Sequence, residues 1–393
     1  MRQGGYDIVI VGGAVMGASI AYWITRTCPG AAVLVVERDP TFARASTALS
    51  VASIRSHFSN PVNVEISRFG YEFVRDFARM VPNAGVGDLG LKENGYLFLT
   101  GTAEGAATLE ELAAMQRSLG ASTQVLDAAD LAHRFPWMNL EGIMAGSFGP
   151  TGEGWFDNMG LLTGLRTAAR AQGAIFTTDT VVGLERDGDR VVAAQLQQAG
   201  RVEAAAFVNA AGTRAAEVLR WLGEDLPVEP RKRTVFVIDA PNARHPDAPL
   251  LIDPAGFYLR PSHDQWITAT VPAEDGPCAA DDFDPDHAQF DDIIWPRLFA
   301  RAPGFDAVKV LRFWVGHYAY NTLDQNAILG RHPAFQNLYL ANGFSGHGLQ
   351  QAPAVGRGIA ELILSGAWQT LDLSPLGVER ILARRPFAER AIV

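Results

Sequence analysis

The chain has 393 residues, 48% of them hydrophobic and 19% charged, so it carries apolar surface for more than one core and two domains are expected. A formal charge of −10, with no basic run longer than Arg231-Lys232-Arg233, argues against nucleic acid and anionic membrane surfaces. Only Cys28 and Cys278 are present, which argues against disulfides and thiolate metal sites and fits a reducing, cytoplasmic setting; no apolar run is long enough to span a bilayer, and no signal segment is expected.

The first run, Tyr6 to Val11, is apolar and β-branched and reads as a strand; Gly12 to Gly17 reads as a turn, Ala18 to Arg26 as a helix and Ala32 to Val36 as a second strand. The turn Gly12-Gly13-Ala14-Val15-Met16-Gly17 stands where a dinucleotide-binding G-x-G-x-x-G stands, with Ala14 in place of the middle glycine. Gly12 permits the tight turn, Ala14 keeps the approach to a pyrophosphate open, and Gly17 lets the helix pack on the sheet. Glu37, ending the second strand, can accept hydrogen bonds from ribose hydroxyls. The competing reading is an ordinary strand–helix turn with a solvated Glu37. Arg44 to Ser50 is a small, hydroxyl-rich run suited to an extended ribityl-diphosphate chain, or else a surface loop.

Arg55 precedes a helix signalled by Asn60 as N-cap, Pro61 at its first position and an inward stripe of Ile66, Phe69, Phe73 and Phe77. Residues 103–114 read as helix. Thr180 to Phe207 reads as an antiparallel meander turning at Asp187-Gly188-Asp189, ending in a strand Ala206 to Ala211 that closes on Asn209-Ala210-Ala211-Gly212. Arg233 to Val271 holds three β-rich runs of a second, largely antiparallel sheet, and Glu274 to Asp286 is expected as an exposed loop. Near the C-terminus, a strand Leu338 to Ala341, a turn Gly343 to Gly348 and a helix to about Ser365 repeat the opening theme. The N-terminus of that last helix can stabilise negative charge on the N1–C2=O edge of a reduced flavin. Three small-residue strand ends point to one long cofactor.

These residues resemble the D-amino acid oxidase superfamily of FAD enzymes, above all its sarcosine-oxidase and dimethylglycine-dehydrogenase-like branch. The likeness runs through the chain and is carried by Ile8 to Gly13, Ser46-Thr47-Ala48, Ser53 to Phe58 with Arg55, and Asn342 to Gly348. Ile54-Arg55 and Leu349 to Pro353 are similar to a subgroup that includes an FAD protein acting in assembly of respiratory complex I. The resemblance implies an α/β plus β architecture: a discontinuous Rossmann-type FAD-binding domain (1–85, 145–225, 320–393) with an antiparallel-sheet substrate domain (86–144, 226–319).

It also implies FAD, held without a covalent bond because His317 stands where sarcosine oxidases carry the attaching cysteine. The implied cofactor-binding set is Gly12, Ala14, Val15, Met16, Gly17, Glu37, Arg38, Ser46, Thr47, Ala48, Ser50, Val181, Ala211, Gly212, Gly316, Gly343, Phe344, Ser345, Gly346, His347, Gly348 and Leu349.

The implied reaction is hydride transfer to flavin from a small carboxylate-bearing amine or amino acid, so carboxylate anchors matter more than a strong base. Arg55 and Arg260 are the expected clamps; a structural salt bridge for Arg55 and a rim position for Arg260 are the competing readings. Tyr258 shares a strand face with Arg260. His317 faces substrate or flavin, or else is a core histidine; His347 and Gln350 border the last helix, Gln350 near a position where sarcosine oxidases have lysine. The remaining histidines, and the acids at 281, 282, 284 and 286, are expected to be solvated, with no metal site. A 2-hydroxy acid dehydrogenase and a non-catalytic assembly factor are the alternatives. The electron acceptor stays open between oxygen, a quinone and an electron-transfer protein.

Overall fold

The computed structural model describes residues 5–390. Its first sheet has a parallel core in the order Leu338–Asn342, Gly200–Asn209, Tyr6–Val11, Val33–Glu37, Ile175–Thr178, with Ile328–Arg331 antiparallel at one edge. The expected meander, Val181–Asp187 and Arg190–Leu196, pairs antiparallel onto Gly200–Asn209 and turns at 188–189. Register decides where the strand ends fall. Val11 lies opposite Asn209, and Asn209 opposite Leu340, so three parallel strands end side by side and deliver Gly12, Ala210–Gly212 and the turn after Asn342 to one edge.

The first helix runs Val15–Thr27, one turn earlier than Ala18, because the turn already closes at Ala14, whose extended backbone makes it the N-cap. The second strand is Val33–Glu37, so Glu37 is its last residue as the pattern requires. Gly17 sits in that first helical turn, and a Cβ there would lie 1.9 Å from the Gly12 carbonyl oxygen. The helix packs between the sheet and the helices Asn158–Ala171 and Gly348–Ser365, with the buried Ser19 hydroxyl donating to the Ala352 carbonyl (2.7 Å).

The second sheet has the order Lys309–Asn321, Val228–Asp239, Gln265–Thr270, Phe257–Ser262, Leu250–Ile252, Tyr96–Thr100, Ala145–Gly149, Gln124–Asp127. Every pairing is antiparallel except that of Leu250–Ile252 with Tyr96–Thr100. The β-rich stretch from Arg233 thus resolves into four strands rather than three runs, the first beginning at Val228. Helical segments Gln289–Ile294 and Trp295–Arg301 cover one face over a core of Phe236, Phe257, Trp266, Phe290 and Phe305. Strand Lys309–Asn321 is long enough to reach the first sheet's strand ends, where the Ala319 carbonyl accepts from Ser345 N (3.0 Å). A large cavity opens at that junction.

Helix Pro61–Arg75 begins where Asn60-Pro61 signals, and Ile66 and Phe73 are buried; Phe77 is buried too, but on a separate short helix Phe77–Met80. The Asn60 side chain does not cap the helix. Glu274 to Asp286 is irregular, as expected, yet it is tied down: Asp275 pairs with Arg231 and Arg233, and Asp282 with Lys232 (2.7 Å). Asp282 is thus ion-paired yet still 32% exposed at its side chain, so its expected solvation holds in part. Buried His57 and His332 correct the same expectation for the histidines: His57 is bonded to Glu153 and Ser147, and His332 Nδ1 accepts from Ala334 N (3.3 Å). Among the described residues no helix is long and apolar enough to cross a membrane, and no group of three or more His, Cys, Asp or Glu could hold a metal ion.

Candidate active site

One elongated cavity of about 780 Å3 runs from the glycine-rich turn to the inner face of the second sheet. At one end stand Gly12, Ala14, Val15, Met16, Glu37, Arg38, Val181, Ala211 and Gly212; Ser46, Thr47 and Ser50 line the middle; Gly316, Phe344, Ser345, Gly346, His347, Gly348 and Leu349 line the other end. Gly17, Ala48 and Gly343 do not line it; they shape the backbone behind its wall. Gly343 has φ +67°, and its Cβ would press within 3.2 Å of Asn321 and Ile328.

The geometry is tight where a ligand must come close. Gly12 has φ +100°, and a Cβ on it would meet the Ala210 oxygen at 2.4 Å. Glu37 accepts from Gly13 N (2.8 Å) and Asp39 N (2.9 Å), which fixes its carboxylate beside the turn. Thr47 Oγ1 accepts from Val15 N (3.3 Å), and Ser46 Oγ donates to the His317 carbonyl (2.7 Å), so the hydroxyl-rich run is stitched to the start of the first helix and to the second sheet. The first N–H groups of helix Gly348–Ser365 open toward the cavity beside His347.

Beyond that turn the cavity is walled by Arg55, Tyr96, Tyr258, Tyr318, His347 and Gln350. Arg55 is buried, and among the described residues no carboxylate pairs with it. Its Nη2 donates to His347 Nε2 (2.9 Å), its backbone N donates to Gln350 Oε1 (2.8 Å), and its guanidinium lies over the rings of Phe58 (4.8 Å) and Phe98 (5.1 Å). Burial, with the neighbouring Arg55 charge, pushes the His347 pKa down to about 3, against a hydrogen bond to the Phe344 carbonyl. His347 is therefore the neutral tautomer that holds its proton on Nδ1 and accepts at Nε2. The competing reading of Arg55 as half of a structural salt bridge finds no carboxylate partner among the described residues.

Arg260 corrects the reading of a second clamp. It shares a strand with Tyr258, but its Nη2 donates to the Val51 carbonyl (2.8 Å) and its Nη1 to the Pro261 carbonyl (3.1 Å), and it does not line the cavity. It is also not a rim residue, being buried over the ring of Trp155 (5.0 Å) with its pKa pushed down to about 10 by burial. The arginine that does reach the wall from the second sheet is Arg233, whose charge is taken by Asp275 (2.6 and 2.9 Å). His317 lines the cavity with its ring stacked on Phe283 (4.3 Å) and its Nε2 bonded to the Asp282 carbonyl (2.6 Å); burial lowers its pKa. It joins the loop 274–286 to the cavity mouth.

Sequence reasoning missed Tyr96, Tyr318 and Arg233, together with a buried group behind Arg55. There Glu153 accepts from Ser56 N (2.6 Å) and His57 Nδ1 (2.9 Å), while His57 Nε2 meets Ser147 Oγ (2.9 Å). Tyr318 had one local signal, its two-residue spacing from Gly316 in a β-rich run. The others depend on contacts between distant segments.

Over residues 7–362 the chain matches the model of the DAO family, described as FAD dependent oxidoreductase. The chain belongs to the DAO family of FAD-dependent oxidoreductases. It is 40% identical to the FAD-dependent oxidoreductase domain-containing protein 1 of Xenopus laevis, over 98% of this chain and 85% of that one. It is 24% identical to the mitochondrial dimethylglycine dehydrogenase of Rattus norvegicus, over 94% of this chain but only 44% of that longer protein. The fold matches the L-proline dehydrogenase from P. horikoshii with a TM-score of 0.86 at 24% identity, covering 97% of this chain and 99% of that one. It matches the glycine oxidase from Geobacillus kaustophilus with a TM-score of 0.80, also at 24% identity, covering 95% and 98%. The DAO-family cofactor fits the residues present: the cavity is long, Gly12 leaves bare backbone at its narrow end, and Glu37 stands at the strand end beside it.

Proposed function

We propose that this protein oxidises the C–N bond of a small carboxylate-bearing amine or amino acid, primary or N-substituted, with FAD as the electron acceptor. The observation that carries the reading is Arg55: a buried guanidinium on the cavity wall that, among the described residues, gives only Nη2 to a protein side chain, and that one a neutral histidine. A buried cation left without an anion awaits one from the ligand. The names of structural neighbours, which include amino acid dehydrogenases and oxidases, support the same class.

In this reading Gly12 to Gly17, Glu37, Arg38, Val181, Ala211 and Gly212 hold the adenosine-diphosphate end of FAD, the run Ser46 to Ser50 holds its middle, and Gly316 with the turn Gly343 to Leu349 holds the flavin end, without a covalent bond. The domain limits are those of the resemblance: 1–85, 145–225 and 320–393 for FAD, 86–144 and 226–319 for substrate. When bound, the flavin supplies a two-electron acceptor for the substrate carbon.

The protein's own part is to bind, orient and exclude water. Arg55 takes the carboxylate with its remaining N–H groups, held in orientation by His347 Nε2 and by the Gln350 side chain on its backbone. Among the described residues the Tyr258 and Tyr318 hydroxyls have no hydrogen-bond partner, and they offer donors or acceptors across the same space. Burial raises the Tyr258 pKa well above its ordinary value, so it acts as a neutral group.

The described histidines on the wall are weak bases for a proton from an alcohol: burial lowers the pKa of both His347 and His317, and His317 keeps only Nδ1 as an acceptor because its Nε2 donates to the Asp282 carbonyl. That favours an amine, which reacts through its own lone pair, over a 2-hydroxy acid. Anaerobic mixing of the yellow protein with a panel of amino acids, N-alkyl amino acids and 2-hydroxy acids tests this. Bleaching of the flavin by members of the amine set alone is expected. Bleaching by hydroxy acids alone would give the site to alcohols, and bleaching by none would favour the non-catalytic alternative.

A further inference from the structure

We propose that Glu389 is a positioning residue for Arg55, acting from the C-terminal segment through the loop 56–60. The inference rests on the reading of Arg55 as the partner of the substrate carboxylate. Residues 384–390 return across the start of helix Pro61–Arg75, where the side chain of Asn60 makes no cap. Glu389 takes that place. Its Oε2 accepts from Ser59 N (2.5 Å) and Ser59 Oγ (2.6 Å), and its Oε1 from Asn60 Nδ2 (3.1 Å) and Asn63 Nδ2 (2.5 Å).

Glu389 is only 8% exposed, and among the described residues no Lys, Arg or His pairs with its carboxylate. Its charge is balanced by four neutral donors, by the positive end of a 15-residue helix and, without direct contact, by the neighbouring Arg390 charge. The segment is seated by more than this one group. Phe387 N donates to Asp324 Oδ2 (2.9 Å), Arg390 N donates to Ser59 Oγ (2.8 Å), and Asn60 Nδ2 donates to the Ala388 carbonyl (3.1 Å).

The path from Glu389 to the cavity is short and stiff. Ser59 comes directly after Phe58, whose carbonyl accepts from Gln116 Nε2 (2.9 Å) and whose ring lies under the Arg55 guanidinium (4.8 Å) and edge-on to His347 (5.1 Å). Arg55 N and Ser56 N are taken by the side chains of Gln350 and Glu153. Side chains from four distant places thus hold the backbone of residues 55–59, and Glu389 is the one of them that lies on a terminal segment. Losing it frees Ser59, lets Phe58 move, and removes the floor on which Arg55 and His347 are set.

The test uses the flavin-bound protein, titrated with benzoate as a carboxylate probe and read by the change in flavin absorbance, with hydrogen exchange measured over residues 55–60. Glu389→Ala is expected to keep its flavin, to bind benzoate roughly tenfold or more weakly, and to exchange faster in that segment. Glu389→Gln is expected to fall between, because its one oxygen can still accept from Ser59 while its amide NH2 faces the Asn63 donor. A Glu389→Ala protein with unchanged benzoate affinity overturns the proposal, whether or not exchange speeds up. Should Glu389→Ala not fold, Ser59→Ala decides in its place: weaker benzoate binding is expected, and unchanged binding overturns. Arg55→Met separates the two readings. If it binds benzoate like the unsubstituted protein, or if neither protein binds it, the Arg55 reading fails and this one with it. If Arg55→Met is weakened and Glu389→Ala is not, only the role of Glu389 fails.

Discussion

Two arginines expected to serve as carboxylate clamps end in different work, and the difference lies in where a long side chain finds acceptors. Arg260 spends its donors on the Val51 and Pro261 carbonyls and braces the loop before Arg55, whereas Arg55 keeps most of its donors for the cavity. Arg55→Met is expected to raise the apparent substrate constant by roughly 10- to 100-fold, the equivalent of about 1.5–3 kcal/mol for a charge-assisted hydrogen bond. Arg260→Met is expected to lower thermal stability and leave that constant nearly unchanged; anaerobic flavin reduction across substrate concentration distinguishes them.

His347 adds a pH prediction. Its pKa is about 3 in the folded protein and about 6.5 when unfolded, so the native state binds fewer protons between those values. Its contribution to stability is complete above about pH 6.5 and is lost as pH falls toward 3. Carboxylate affinity should therefore stay flat from about pH 6 to 8, and a titration step near 6.5 would contradict a neutral His347.

Among the secondary-structure elements, the sequence revealed what a short segment can decide alone. The strand Tyr6–Val11, the turn at Gly12, the Asn60-Pro61 helix start and the turn before helix Gly348–Ser365 are local patterns, and all four are present. Alternation placed Tyr258 and Arg260 on one face, but not where a flexible guanidinium ends. The buried Glu153–His57 pair and the Glu389 cap join residues 96 and 330 positions apart, which no local pattern encodes. Gly17→Val tests the first turn. Its Cβ would meet the Gly12 oxygen, so the helix must leave the strand and the protein should purify without yellow colour. Full flavin content in that variant would contradict the assignment of the turn.

For the whole molecule, the two sheets meet so that one cavity has a backbone-lined end for a dinucleotide and a side-chain-lined end for a small acid. Neither described cysteine lies on that wall. Acid precipitation should therefore release the flavin into the supernatant, and flavin left in the pellet would show a covalent link. Among the described residues no lysine lines the cavity, Lys232 being spent on Asp282. With no lysine cation to stabilise charge as oxygen is reduced, reoxidation in air should be slower than with a dye or quinone, as stopped-flow absorbance can show.

Whether the buried arginine selects a carboxylate-bearing amine for oxidation is decided by anaerobic flavin reduction with matched pairs: each amino acid beside the amine formed by removing its carboxylate. At least one amino acid is expected to bleach the flavin while its partner amine, at equal concentration, does so far more slowly. Equal rates within the pairs, or reduction by the amines alone, would take the carboxylate away from Arg55 and the proposed reaction with it.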